Sequence, residues 1–167
     1  MLPANFRVTR IERSSDQVLA NLFEHYVHDM AEWFALDTKP DGRYAYPTET
    51  VWDRGLDVFF AYSGELPIGF GIVGSAETWT GEADRRDLHE FFVIRRHRRN
   101  GVGQALATHI WDRYRGPWLV RVYQGNVPAV PFWRGVVAAY AATGYREEVR
   151  TVDERSWSYF SFDAGGS

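Results

Sequence analysis

The sequence predicts an α/β domain of about six or seven strands and about four helices. Three observations carry that reading. Short apolar runs with strand character recur along the chain, other stretches place apolar residues at helical steps, and one strand runs into a basic, glycine-containing turn that opens a helix. The 167 residues suit a single domain, taken over 1–167 with 164–167 as a flexible tail.

The elements follow in order. Phe6–Ile11 alternates apolar and polar residues, as a half-buried strand does. Ser14 and Gln17 have the spacing of a capping box, and Val18, Leu19, Leu22, Phe23, Tyr26, Met30, Trp33 and Phe34 then predict an amphipathic helix to about Leu36. Lys39-Pro40-Asp41-Gly42 breaks it, and a short helix is expected near Glu49–Leu56. Val58–Tyr62 and Pro67–Ser75 read as paired strands around a Ser63-Gly64-Glu65 turn. Gly69, Gly71 and Gly74 in the second strand predict close strand packing or a bulge. A polar loop over 77–86 leads to a strand at Leu88–Ile94, a basic loop at Arg95–Asn100 and a helix over Gly101–Arg115. Gly116-Pro117 stops that helix; a strand at Trp118–Tyr123, a helix at Pro128–Ala141 ended by Thr143-Gly144, and strands near Tyr145–Thr151 and Ser156–Phe162 complete the chain.

Composition excludes several function classes. With 22 acidic and 19 basic residues the net charge is −3, so the overall basic footprint of a nucleic-acid binder is absent. No cysteine is present, which excludes disulfides, thiolate catalysis and Cys-ligated zinc. Met1–Arg13 lacks the apolar core of a signal peptide and no apolar run spans a membrane, so a cytoplasmic location is expected. His25 and His28 lie on one helix face with Glu24, Asp29 and Glu32, which reads as a solvated face, and no metal is expected.

The chemistry concentrates in residues 91–106. The first turn of a helix has backbone N–H groups without intrahelical acceptors and a partial positive charge, and glycines let an anion come close. A phosphate fits there, and Arg95, Arg96, Arg98 and Arg99 add local charge. A P-loop is excluded because no Lys follows the glycines, and a dinucleotide fingerprint matches only weakly because Leu106 stands where its third glycine belongs.

Arg98-Arg99-Asn100-Gly101-Val102-Gly103 fits Gln/Arg-x-x-Gly-x-Gly/Ala, and Asn126-Val127-Pro128-Ala129 with Phe132-Trp133 is similar to Asn-x-x-Ala-x-x-Phe-Tyr. The order of elements over roughly residues 5–163 and these two segments resemble the GNAT superfamily of N-acetyltransferases, most closely its small members. The resemblance implies a mixed, mostly antiparallel sheet whose central strands splay apart. It implies acetyl-CoA as co-substrate, with the pyrophosphate on the turn Arg98, Arg99, Asn100, Gly101, Val102, Gly103 and Gln104. Pantetheine would run along Phe91, Phe92 and Val93, with Asn126 and Phe132 nearby. It also implies direct acetyl transfer to a primary amine of a small molecule or protein.

That transfer calls for a base, and Asp87, His89 and Glu90 are the candidates. Polyamine-acetylating members of the superfamily carry Glu-Asp-Phe-Phe-Val where this chain has His89-Glu90-Phe91-Phe92-Val93, which puts His89 at their base position. Strand alternation places Asp87 and His89 on one face with Phe91 and Val93, and Glu90 on the other. The superfamily's usual acid, a Tyr, is replaced by Trp133, which leaves Tyr123 and Tyr140 as weaker candidates. Acceptor specificity is expected from loops 36–57 and 76–86, where aromatics with Asp29, Glu32, Asp37 or Asp41 suit a cationic amine. The competing readings are a non-catalytic acyl-CoA-binding module and nucleic-acid binding through Arg95–Arg99, the latter opposed by the overall charge. The aromatic-rich last strand offers a route to a homodimer.

Overall fold

The computed structural model describes residues 1–141 and 144–165. Its strands are β1 (Phe6–Ile11), β2 (Asp57–Ser63), β3 (Leu66–Ser75), β4 (Arg86–Val93), β5 (Gly116–Tyr123), β6 (Tyr145–Val152) and β7 (Arg155–Ala164). Its helices are α1 (Asp16–Phe34), α2 (Glu49–Asp53), α3 (Glu77–Thr80), α4 (Val102–Arg113) and α5 (Ala129–Tyr140). Short 3₁₀ turns occupy Arg13–Ser15 and Arg95–His97. The sheet has seven strands in the order β1-β2-β3-β4-β5-β7-β6. It is mixed: β1–β2, β5–β7 and β6–β7 are antiparallel, whereas β4 runs parallel to β5 at Arg86↔Trp118 and Asp87↔Leu119.

The expected elements form, with boundary differences that have local causes. Ser15 is the N-cap of α1, and no side chain caps it, so the Ser14/Gln17 box does not close. Gln17 instead donates to Asn21 at 3.1 Å, one helical turn on. The helix stops at Phe34 because Ala35 turns left-handed, with φ 47°. A five-residue helix, Glu49–Asp53, occupies part of the 49–56 stretch, and the loop 77–86 contains α3. Strand β4 begins two residues before Leu88, which brings Asp87 into the sheet. Strand β7 extends through Ala164, whose side chain is buried and whose backbone pairs with Gly116, so Ala164 belongs to the sheet and not to the flexible tail expected over 164–167. Thr143, Gly166 and Ser167 lie outside the described residues. Strand β7 lies between β5 and β6 and is paired on both sides, so the dimer route expected through the last strand is closed.

The described residues gather into two compact units. The first holds Met1–Ile72 and Glu90–Gly103. Its core is one apolar cluster: Leu19, Leu22, Phe23 and Val27 of α1 pack with Val58 and Phe60 of β2, Phe70 and Ile72 of β3, and Phe92 of β4. The aromatic members meet in close ring contacts, Phe23–Phe70 at 4.8 Å and Tyr26–Phe70 at 5.6 Å. The second unit holds Val73–His89 and the described residues from Gln104 on. There Trp111 of α4 packs on Phe162 of β7 at 4.8 Å and on Tyr140 of α5 at 4.9 Å.

One glycine of β3 sets the spacing to β4. A methyl group at Gly69 would lie 2.5 Å from the carbonyl oxygen of Phe92 and 3.2 Å from the Cα of Val93. Both are backbone atoms and cannot rotate away, so Gly69→Ala must push the strands apart. Overpacking of this kind costs about 1–3 kcal/mol. Urea denaturation of Gly69→Ala is expected to show that loss, and an unchanged midpoint would mean that β4 moves there without cost.

Candidate active site

Strand β4 and the turn after it carry most of the residues singled out by the sequence. In the first unit, Glu90 points toward α1, where the buried Tyr26 hydroxyl donates a hydrogen bond to its carboxylate. Burial and then the Glu90 charge push the Tyr26 hydroxyl well above its ordinary value, so it stays protonated and remains a donor. Phe92, two residues on, also meets Tyr26, at 5.9 Å between rings, as strand alternation requires. Tyr46 stacks on Phe23 at 4.4 Å. Burial, and then the Glu90 charge, also raise Tyr46. The loop that carries Tyr46 is fastened to α1 by Glu24, whose carboxylate accepts from the N–H groups of Tyr44 and Ala45, both at 2.8 Å.

The turn after β4 is built stepwise. The Ile94 N–H donates to Ile68 of β3 at 2.9 Å, and the His97 N–H closes back on Ile94 at 2.8 Å. Arg98 then bonds in two directions: its Nε donates to the Val93 carbonyl at 2.7 Å, and its Nη2 to Asp29 of α1. Arg95 joins the same carboxylate through Nε at 3.0 Å and Nη2 at 2.8 Å. Burial alone would push Asp29 up, but the hydrogen bonds from Arg98 and Arg95 hold it below the ordinary carboxylate value. Past Arg98 the chain takes two left-handed residues, Arg99 at φ 61° and Gly101 at φ 82°. It enters α4 at Val102, so the N–H groups of Val102, Gly103 and Gln104 fall in the first helical turn. A cavity of about 260 Å³ beside this turn is lined by His25, His28, Asp29, Phe92, Ile94 and Arg95.

The second unit holds the other β4 candidates. Asp87 is fully buried and accepts from Arg121 of β5 through Nε at 3.1 Å and Nη2 at 2.5 Å, both on Oδ2. Its Oδ1 has no hydrogen-bond partner among the described residues. His89 lies on the same face, with Nδ1 3.6 Å from Asp87 Oδ2, and its side chain is only 14% exposed. The Arg121 guanidinium lies over the Trp79 ring at 3.9 Å. Of the acid candidates, Tyr140 donates to Asp112 at 2.9 Å, and burial followed by that bond pushes it up to about 12. Tyr123 lies against Gly125, where a Cβ would come within 2.3 Å of its ring. Asn126 opens the turn into α5, Phe132 is partly exposed on that helix, and Trp133 is buried against Trp111.

The structure gives two of the carboxylates expected at a cationic acceptor, Asp29 and Asp41, a different setting from the base candidate Glu90. Asp29 is engaged by two arginines and Asp41 by Arg43, whereas Glu90 faces the aromatic cluster of α1 and β3. Sequence reasoning missed the three partners that define these groups: Tyr26 for Glu90, Arg121 for Asp87, and Asp29 for the arginines of the turn. A charged residue inside the apolar run Trp118-Leu119-Val120-Arg121-Val122 was the available signal for Arg121.

The sequence model of the acetyltransferase (GNAT) family matches residues 25–136, more than half of the chain. No curated protein sequence matches. Among solved structures, yncA from Salmonella typhimurium, with its cofactor acetyl-CoA, is similar at TM-score 0.65 and 13% identity, covering 97% of this chain and 95% of that one. The ribosomal-protein-S18-alanine N-acetyltransferase of Escherichia coli is similar at TM-score 0.63 and 15% identity, covering 97% and 96%. An acetyltransferase from Thermus thermophilus is similar at TM-score 0.64 and 18% identity, covering 98% and 99%. At these identities the likeness is one of fold.

Proposed function

Because the chain belongs to the GNAT family of acetyltransferases, we propose that residues 1–167 act as one N-acetyltransferase domain that moves an acetyl group from acetyl-CoA to a primary amine. The observation that carries this reading is the turn after β4. Its left-handed Arg99 and Gly101 deliver the chain into the first turn of α4, an N–H-rich end suited to a diphosphate. Arg98, Arg99, Asn100, Gly101, Val102, Gly103 and Gln104 are the proposed pyrophosphate contacts. The backbone of Phe91, Phe92 and Val93 is proposed to follow the pantetheine arm, which requires the central strands to splay. Asn126 and Phe132 are carried over from the second motif.

In the reaction the amine nitrogen forms a bond to the acetyl carbon, the carbon–sulfur bond breaks, and amide and CoA thiol result. The amine must give up a proton, and we assign Glu90 as its acceptor. Its carboxylate is held by Tyr26 at the aromatic cluster, a setting suited to an ammonium group. His89 is the second candidate. Asp87, enclosed and ion-paired with Arg121, suits a structural role better than proton exchange. A dedicated acid is not assigned: Trp133 replaces the usual Tyr, and Tyr140, pushed up to about 12, is a weaker acid than a free tyrosine and already donates its proton in a hydrogen bond to Asp112. The thiolate takes its proton from solvent.

Calorimetric titration of acetyl-CoA tests the coenzyme half. Micromolar binding that is lost in Arg98→Glu/Gly103→Asp is the expected result, followed by CoA thiol release with an amine panel. No binding by the intact folded chain would overturn the proposal. Binding without thiol release across the panel would favour the non-catalytic acyl-CoA module.

A further inference from the structure

We propose that Asp29 is a positioning residue for the coenzyme turn: from α1 it grips Arg95 and Arg98 and thereby fixes the backbone that follows them. The inference rests on the coenzyme reading above and extends it to a residue outside both sequence motifs. Arg98 is the last tethered point before the two left-handed residues that lead into α4. Its guanidinium bonds the Val93 carbonyl at the end of β4, bonds Asp29, and lies 5.5 Å from the Phe92 ring. Arg95 opens the 3₁₀ turn at the other end of the same segment, and its side chain is 71% exposed apart from its grip on Asp29. One carboxylate, only 11% exposed, therefore ties both ends of Arg95–Arg98 to α1.

Charge-assisted hydrogen bonds of this kind are about twice as strong as neutral ones. Without the carboxylate charge, Arg98 keeps one strong acceptor, the Val93 carbonyl, and the turn must be ordered when the ligand arrives. That ordering cost falls on coenzyme binding. Simple electrostatics makes the opposite forecast. An aspartate near a diphosphate repels it and competes for the same arginines, so its removal would tighten binding. The sign of the change separates the two accounts.

The experiment is an acetyl-CoA titration of the full chain and of Asp29→Asn, Asp29→Glu and Arg95→Gln, together with amide hydrogen exchange of residues 98–103. Asp29→Asn is expected to weaken acetyl-CoA about tenfold, in line with the sensitivity of bound geometry to small displacements. Exchange in the turn should speed up, Asp29→Glu should recover part of the affinity, and kcat and the amine KM should stay near those of the intact chain. Arg95→Gln changes an exposed side chain and, should Asp29→Asn fold poorly, tests the same grip by itself: exchange of residues 98–103 should speed up, and unchanged exchange would overturn the inference. It should weaken binding less when introduced into Asp29→Asn than into the intact chain. Equal or tighter binding by Asp29→Asn, or additive losses in the Asp29/Arg95 pair, would overturn the inference while the intact chain still binds acetyl-CoA. Failure of the intact chain to bind acetyl-CoA would overturn the coenzyme reading itself.

Discussion

Replacing Glu90 by Gln is expected to lower kcat for amine acetylation about 10²-fold or more, the range for losing a general base. Gln keeps the shape of Glu and still accepts from Tyr26, so the folded state should be little changed and the loss should fall on the proton-transfer step. The pH profile gives a second check. A base must be deprotonated to work, so the intact enzyme's kcat/KM should rise with pH through the Glu90 value, and that limb should vanish in Glu90→Gln. Tyr26→Phe moves the limb in a defined direction. The Tyr26 hydroxyl donates to the carboxylate and favours its charged form. Its loss therefore raises the Glu90 value and shifts the limb to higher pH. His89→Gln should keep the limb, and if it alone abolished turnover the base would be His89.

The elements that position this site were legible because they rest on local rules. The alternation of β1, the helical spacing of α1 and the strand–turn–helix run over residues 91–106 each depend on near neighbours in sequence, and each appears within a few residues of its expected place. The expectation that fared worst was also local. The Ser14/Gln17 spacing allows a capping box, yet Ser15 takes the cap position without a side-chain bond. What the sequence leaves hidden is pairing across distance. Asp29 meets arginines 66 and 69 residues away, and Glu90 meets a tyrosine 64 residues away. Such partners are chosen by the order of strands in the sheet, which periodicity does not encode. Thus Arg95 and Arg98 read as bare charge for an anion, whereas they first meet a carboxylate. The aromatic-rich last strand likewise read as a route to a homodimer, whereas it is inserted between β5 and β6.

Asp87→Ala is expected to destabilise the protein by about 3–5 kcal/mol, the usual result of stranding one member of a buried ion pair. Asp87 has no exposed surface, and the Arg121 side chain is only 13% exposed, so the remaining cation gains little help from water. That loss is a large share of the roughly 5–15 kcal/mol that keeps a domain folded. It should be read from urea denaturation as a lower midpoint with an unchanged slope. The paired replacement Asp87→Leu/Arg121→Met makes the opposite case. It removes both charges and the unpartnered Oδ1 together, and such swaps are often neutral or stabilising. A double mutant as unstable as Asp87→Ala would show that the pair does more than balance charge. Activity separates structure from chemistry at this position. If the buried pair only braces β4 against β5, the turnover of Asp87→Asn per folded molecule should match that of the intact enzyme. A fully folded Asp87→Asn that had lost turnover would move Asp87 into the catalytic machinery.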